Sequence, residues 1–320
     1  MPVPANLFST FDVGPFSASA HHEDLIDVQV ILGSTQTPAF ASFRKDRARD
    51  VIHSWTVDAL AATATAGTPE GQTFSAQSLT PPVRLTNGTQ IFDWGVRVSD
   101  RERDANPAGP FRDMYEKQIM MAFKVVTRNC EARIFSTGST ASASGAELTA
   151  APVMASIAGF GLTVSGASAS GIFTADIIRL SQTMFDNGIE PDSIWFATPH
   201  KVHFFNAVVS TTATVQVNLR NIAATDNRFQ ANIEVMETPL GQLYAIITDR
   251  FIPTSSASAT TRAGYHIMDR SMAALAFYRP PQHKPMGKAG DYTEGLVLME
   301  LTLRLDHPSA FGMVTGITAV

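Results

Sequence analysis

A single cysteine, Cys130, stands in a chain of 320 residues. One thiol excludes an internal disulfide framework and any zinc site built on several cysteines. No run reaches ~18 uninterrupted apolar residues, so no apolar membrane-spanning helix is expected. Charge is scarce as well: 17% of residues are charged, against about 25% in an ordinary soluble domain. So few charges suit a chain that covers much of its exterior with partners. The net charge of −5, from 24 basic and 29 acidic residues, argues against a general nucleic-acid binder, which is normally basic. The opening MPVPANLFSTFDVGPF has neither the basic start nor the apolar run of an export signal. The chain is therefore expected to act in the cytoplasm where it is made.

Catalytic signatures are missing too. Neither the Gly-x-Ser-x-Gly elbow nor the Gly-x-x-x-x-Gly-Lys-Ser/Thr phosphate loop occurs. Gly159-Phe160-Gly161 lacks the third glycine of a dinucleotide fingerprint and reads as a small-residue turn. His200 and His203 could place two imidazoles side by side on a short helix. No carboxylate or cysteine lies close in sequence, so they read as packing histidines. His21 and His22, as neighbours in an extended chain, chelate poorly. Glu116, Glu131, Glu294 and Glu300 have no local feature that would raise them into acid–base roles. Cys130 lies on an apolar helical stripe, where it is a small hydrophobe before it is a nucleophile. No catalytic, cofactor-binding or metal-ligating residue is assigned, and no cofactor is expected. The sequon Asn87-Gly88-Thr89 reads as a turn.

At this length, two domains or one elaborated domain are expected. Residues 1–50 read as an extended arm that ends in the mixed-charge run Arg44–Asp50, a solvated or interfacial face. VIHSWTVDAL (Val51–Leu60) and NGTQIFDWGVRVS (Asn87–Ser99) alternate as strands do. Between them lies LAATATAGTPEGQTFSAQSLTPPVRL, too small and polar to build a core and too long to be an idle loop. The pair therefore reads as the stem of a projecting arm.

From Phe111 to Ser136 the spacing predicts a long helix. Tyr115, Ile119, Ala122, Phe123, Val126, Cys130 and Ile134 form its apolar face, with Asp113, Lys117, Lys124, Arg128 and Glu131 roughly opposite. Met114, Met121 and Val125 add a second strip, as on a helix touched from both sides. Residues 137–171 read as a linker or adaptable loop. A second helix is expected from Thr174 to Asn187, with Ile177, Leu180, Met184 and Phe185 as its stripe and Gly188 as its stop. DSIWFATP reads as a buried strand and HKVHFFNAVV as a short helix. VMETPLGQLYAIITDRFIP reads as a hairpin, and YHIMDRSMAALAFY and GLVLMELTLRLD as two more strands. The fold class is α+β.

Four stretches carry a resemblance. RDVIHSWTVDALA with RLTNGTQIFDWGVRVS, EKQIMMAFKVVTRNCEARIF, VMETPLGQLYAIITDRFIP, and KPMGKAGDYTEGLVLMELTLRLDHPSAFGMVTGI follow one another in order. Together, over residues 45–320, they resemble the phage SU-ten-type major capsid family, of the Hong Kong 97-like fold. The resemblance implies an N-terminal arm (1–50) and an extended loop with its stem (51–99). It implies a peripheral domain (100–155 and 265–305) with spine helix 111–136, and an axial domain (156–264 and 306–320). It further implies a chain that self-assembles into hexamers and pentamers of an icosahedral shell enclosing DNA, without enzymatic activity, in a host bacterial cytoplasm. Partners would be copies of itself, with scaffold, portal and decoration proteins beside them, and no membrane. Contacts between subunits are expected at Trp55, Glu70, Gln72, Phe74, Gln77, Met114, Met121 and Val125. Some capsids of this fold crosslink loop lysines; residues 58–83 contain none, so such a crosslink is not expected here. The alternatives are a phage decoration or tail protein, or a hydrolase whose site forms only in three dimensions.

Overall fold

The computed structural model describes residues 36–58, 70–71, 73, 81–104, 113–136, 162–165, 174–210, 234–253 and 265–315. Its first element is a five-residue helix, α1 (Pro38–Ser42), with proline at the start, where a missing N–H does no harm. β1 (Arg44–Arg47) follows, then an antiparallel pair, β2 (Ile52–Val57) against β3 (Val83–Gly88). β4 (Gln90–Ser99) leads into a short α2 (Asp100–Asp104) and the long α3 (Met114–Ile134). Next come β5 (Leu162–Ser165), α4 (Thr174–Asp186), β6 (Ser193–Phe196), α5 (Thr198–Ser210), β7 (Val235–Glu237) and β8 (Leu243–Thr248). β9 (Tyr265–Met268), β10 (Ala273–Pro285), β11 (Tyr292–Leu305) and β12 (Phe311–Thr315) complete the α+β chain.

Asp113 accepts the amide of Tyr115 at 2.8 Å and caps α3. The helix is thus shorter at both ends than the expected 111–136, and Asp113 is its cap rather than part of its polar face. Its 21 residues span about 31 Å. Ala122, Val126, Cys130 and Ile134 are buried, as their spacing requires, and Tyr115, Ile119 and Phe123 pack beside them. This stripe lies on a four-stranded sheet of order β1-β10-β11-β4. Phe92, Val96 and Val98 of β4 and Val297, Met299, Leu301, Leu303 and Leu305 of β11 form the facing surface. Glu131 departs from the expectation: it is fully buried, not exposed opposite the stripe.

The charged run Arg44–Asp50 is not an extended tail. β1 pairs parallel to β10, and Asp46 meets Arg304 at 2.7 Å. β10 carries register shifts on either side of Arg279, where Pro280 and Pro281 could not have continued a regular ladder. The returning strand of the stem also differs from its reading. It begins at Val83, and Thr89 splits it into β3 and β4, so Asn87-Gly88-Thr89 is a strand junction and not a turn.

The second sheet has six strands, β5-β12-β9-β6-β8-β7. β6 is buried at every position, as its apolar run demands. Ile177, Leu180 and Met184 of α4 pack on this sheet, whereas Phe185 is 45% exposed and lies off the stripe expected for it. Gly188, at φ +78°, ends the helix, donating to Phe185 O at 2.8 Å. β7 and β8 form the expected hairpin, with Gly241 at φ +79° in its turn.

Two short 3-10 turns join the sheets. Arg270–Met272 links β9 to β10, and Pro308–Ala310 links β11 to β12. YHIMDRSMAALAFY is therefore two strands in different sheets. Residues 265–268, expected with the 265–305 stretch, pair instead with β6 and β12 in the six-stranded sheet. The turns are tied by Asp269 N to Ala310 O at 3.1 Å and Asp306 N to Met272 O at 2.9 Å. Arg270 also pairs with Asp192 at 2.7 Å.

Near the start of α3, Tyr115 Oη bonds His283 Nε2 at 3.0 Å and donates to Glu294 O at 3.1 Å. Gly295 makes room for this contact, since a Cβ there would sit 2.3 Å from both Tyr115 Oη and His283 Nε2. Gly295→Ala must break the Tyr–His bond. It is expected to destabilise the fold by about 1–3 kcal/mol, read as a lowered midpoint in denaturant unfolding.

Candidate assembly interface

β11 runs past the end of β4. Their last matched pair is Leu301 with Gln90. Beyond it, the carbonyls of Leu303 and Leu305 are met by side chains of the stem. Asn87 Nδ2 donates to Leu303 O at 2.7 Å, and Trp55 Nε1 donates to Leu305 O at 2.9 Å. Thr89 Oγ1 donates to Glu300 Oε1 at 2.7 Å, and Glu300 Oε2 pairs with Arg279 at 2.6 Å. Asn87, Thr89 and Glu300 are all buried, so this mount is a satisfied polar network shielded from water. The stem thus continues the ladder of β11 with side chains where β4 stops.

Trp55, expected at a subunit contact, is half-buried and commits its indole N–H to its own chain. Glu70 is exposed, while Gln72, Phe74 and Gln77 lie outside the described residues. Met114 is half-buried against the core of its own chain. Met121 and Val125 are half-buried, and Met120, which the spacing did not single out, is 46% exposed.

Other apolar side chains face solvent in places a lone subunit would not favour. Val235 and Leu243 share one face of the β7–β8 hairpin, at the edge of the six-stranded sheet, and are 57% and 64% exposed. Ile91 and Trp94 are half exposed on β4, itself an edge strand. Beside β4 an open groove of about 460 Å³ is lined by Ile91, Asp93, Asn129, Ala132 and Arg133.

His200 is buried in α5 and His203 is half-buried. Burial, and then the neighbouring His200, hold His266 down at about 3. Burial pushes the Cys130 thiol up, which makes it inert. Among the described residues no group of three or more His, Cys, Asp and Glu is placed to hold a metal ion. No helix among them is long and apolar enough to cross a membrane. Gly159-Phe160-Gly161 and His21-His22 lie outside the described residues.

The fold is that of the shell subunits of tailed phages. The chain superposes on the cyanophage A-1(L) capsid asymmetric unit with a TM-score of 0.70 at 11% identity, covering 94% of this chain and 98% of that one. A chain of Gordonia phage Cozz gives 0.63 at 12% identity, over 100% and 98%. The capsid of a native GTA particle gives 0.63 at 10% identity, over 94% and 97%. The major capsid protein of Escherichia phage Phieco32 is 23% identical, over 89% of this chain and 91% of that protein. The profile of the SU10 major capsid protein family matches residues 4–318, and the chain belongs to that family. It is a phage major capsid protein of the Hong Kong 97-like fold.

The stem mount generates a direct test. Asn87→Ala leaves the Leu303 carbonyl without its donor and is expected to cost about 1–3 kcal/mol. Trp55→Phe removes the second donor while keeping an aromatic ring. In both variants hydrogen exchange should quicken in β2 and β3 before it does in β6.

Proposed function

We propose that copies of this chain close into hexamers and pentamers of an icosahedral shell around phage DNA, each gripping a neighbour with its 51–99 loop. The stem carries this reading. β2 and β3 form a sheet of two strands only, held to the body by Trp55, Asn87 and Thr89. A two-stranded ribbon is marginal by itself and gains from a surface to lie on. In this reading Glu70, Gln72, Phe74 and Gln77 lie on the neighbour, and Met114, Met120, Met121 and Val125 belong to the contacts around α3. Trp55 acts from within, fixing the direction in which the loop leaves.

Residues 1–50 form the arm, 100–155 with 270–305 the peripheral domain, and 156–269 with 306–320 the axial domain. The exposed Val235–Leu243 face gives the axial part an apolar patch to set against its counterpart in a ring of copies. Rotational repetition of such contacts closes a shell from one chain type, and loop plus body engagement raises effective concentration without any strong single contact. The work is assembly, not catalysis. DNA is held by enclosure, in keeping with the net charge of −5. Scaffold, portal and decoration proteins of the same phage are the further partners of this reading, with assembly in the host cytoplasm.

Deleting Ala61–Thr80 is expected to leave a soluble, folded body that no longer builds shells, as seen by electron microscopy and by an unchanged unfolding midpoint. Particles of normal outline from that deletion would overturn the role given to the loop.

A further inference from the structure

Helix α1 has no cap of its own, since Thr37 precedes it without a capping side-chain bond. Its first amides are met from 92 residues away. Ala39 N donates to Glu131 Oε1 at 2.6 Å, and Phe40 N donates to Glu131 Oε2 at 2.7 Å. Glu131 is fully buried on α3, and Asp249, just past β8, is 1% exposed. The two buried carboxyl groups are neighbours. Asp249 Oδ1 accepts the amide of Phe251 at 2.8 Å, but its Oδ2 is buried and meets no other donor. Two ionised carboxylates have only lone pairs to offer each other, and like charges this close in a dry site do not both ionise. A single proton between them satisfies the orphaned oxygen and removes one charge.

We propose that Glu131 and Asp249 share one proton, and that this proton clamps the 36–43 segment to the junction of α3 with the six-stranded sheet. Without it, two anions face each other and the segment is released. The direction in which the chain before Gln36 leaves the body is released with it. The inference stands apart from the assembly reading and does not depend on what that preceding stretch touches.

Few charged groups face the pair. From β1, Lys45 lies near Glu131, its ammonium bonded to Phe40 O and set 4.2 Å over the Phe40 ring. From α3 comes the neutral Cys130 thiol. From the turn after β8 come the amides of Arg250 and Phe251, while the Arg250 side chain is exposed. Lys45 and the surrounding amides favour the anion. Burial opposes them and wins, with Asp249 adding to it, and Glu131 is pushed up to about 8. Burial raises Asp249 as well. An open, solvated glutamate titrates near ~4.3, so the clamped state binds the proton more tightly than the open one. The clamp is fully held below that value and is lost as pH rises to about 8.

Hydrogen exchange of the 36–43 segment in the full chain, corrected for the intrinsic pH dependence of exchange, reads the opening constant. One linked proton raises it by up to about tenfold per pH unit between roughly pH 5 and 8 and levels it above. Asp249→Asn gives Glu131 a permanent donor while its oxygen keeps the Phe251 amide, so opening in that variant is expected not to vary with pH. A flat wild-type profile, or the same slope in both proteins, overturns the proposal. If the variant does not fold, infrared spectra of wild-type protein with isotope-labelled glutamate decide the matter. A protonated carboxyl band at about pH 6, lost with a midpoint near ~8, is expected; its absence at about pH 6 is fatal to the idea.

Discussion

Packing of the α3 stripe onto β4 and β11 sets the position of nearly everything else. Ala122, Val126, Cys130 and Ile134 meet Val297, Met299, Leu301 and Leu303 in one apolar layer, and burial of that size outweighs any single polar contact in the molecule. With β11 held, the carbonyls of Leu303 and Leu305 point where Asn87 and Trp55 can reach them. With α3 held, Glu131 sits under the amides of α1, and the Phe135 ring, at its end, packs tilted against Trp195 and His266, with centroids 5.7 Å and 5.6 Å away. One helix–sheet contact therefore orients the stem, the N-terminal segment and the six-stranded sheet together.

The polar bonds added to this layer share a pattern. Asn87, Thr89 and Glu131 are buried polar side chains whose partners are distant in sequence, and each ties a peripheral segment to the body in a set direction. Polar groups suit that task, because a hydrogen bond has a direction and an apolar contact does not. Subunits that must repeat the same contact many times need such angles held closely.

Periodicity made the apolar layer legible in the sequence. The α3 stripe, the alternation of β4 and β11, the buried run of β6 and the β7–β8 hairpin all follow from residue spacing. What spacing could not reveal was where a long strand pattern breaks. Thr89 splits one alternating run because Asn87 turns its amide to Leu303, and Asp269 splits another because its carboxylate caps the turn at Ser271. The first break depends on a partner far along the chain, and the second, though capped locally, is also held by Asp269 N donating to the distant Ala310 O. Glu131 was misplaced for the same reason. A helical wheel puts it opposite the stripe, yet α1 and Asp249 come to cover that side. At the stem, the indole N–H of Trp55 on Leu305 O is a tertiary fact with no local signature.

The paired 3-10 turns at Arg270–Met272 and Pro308–Ala310 carry a mechanical consequence. These two crossings between the sheets lie side by side and are stitched to each other by two backbone bonds. Sliding one sheet along the other would shear both stitches at once. Trp195, Met268, Phe311 and Met313 of the six-stranded side also share one apolar core with β4 and β11, so any slip between the sheets must remake that core as well.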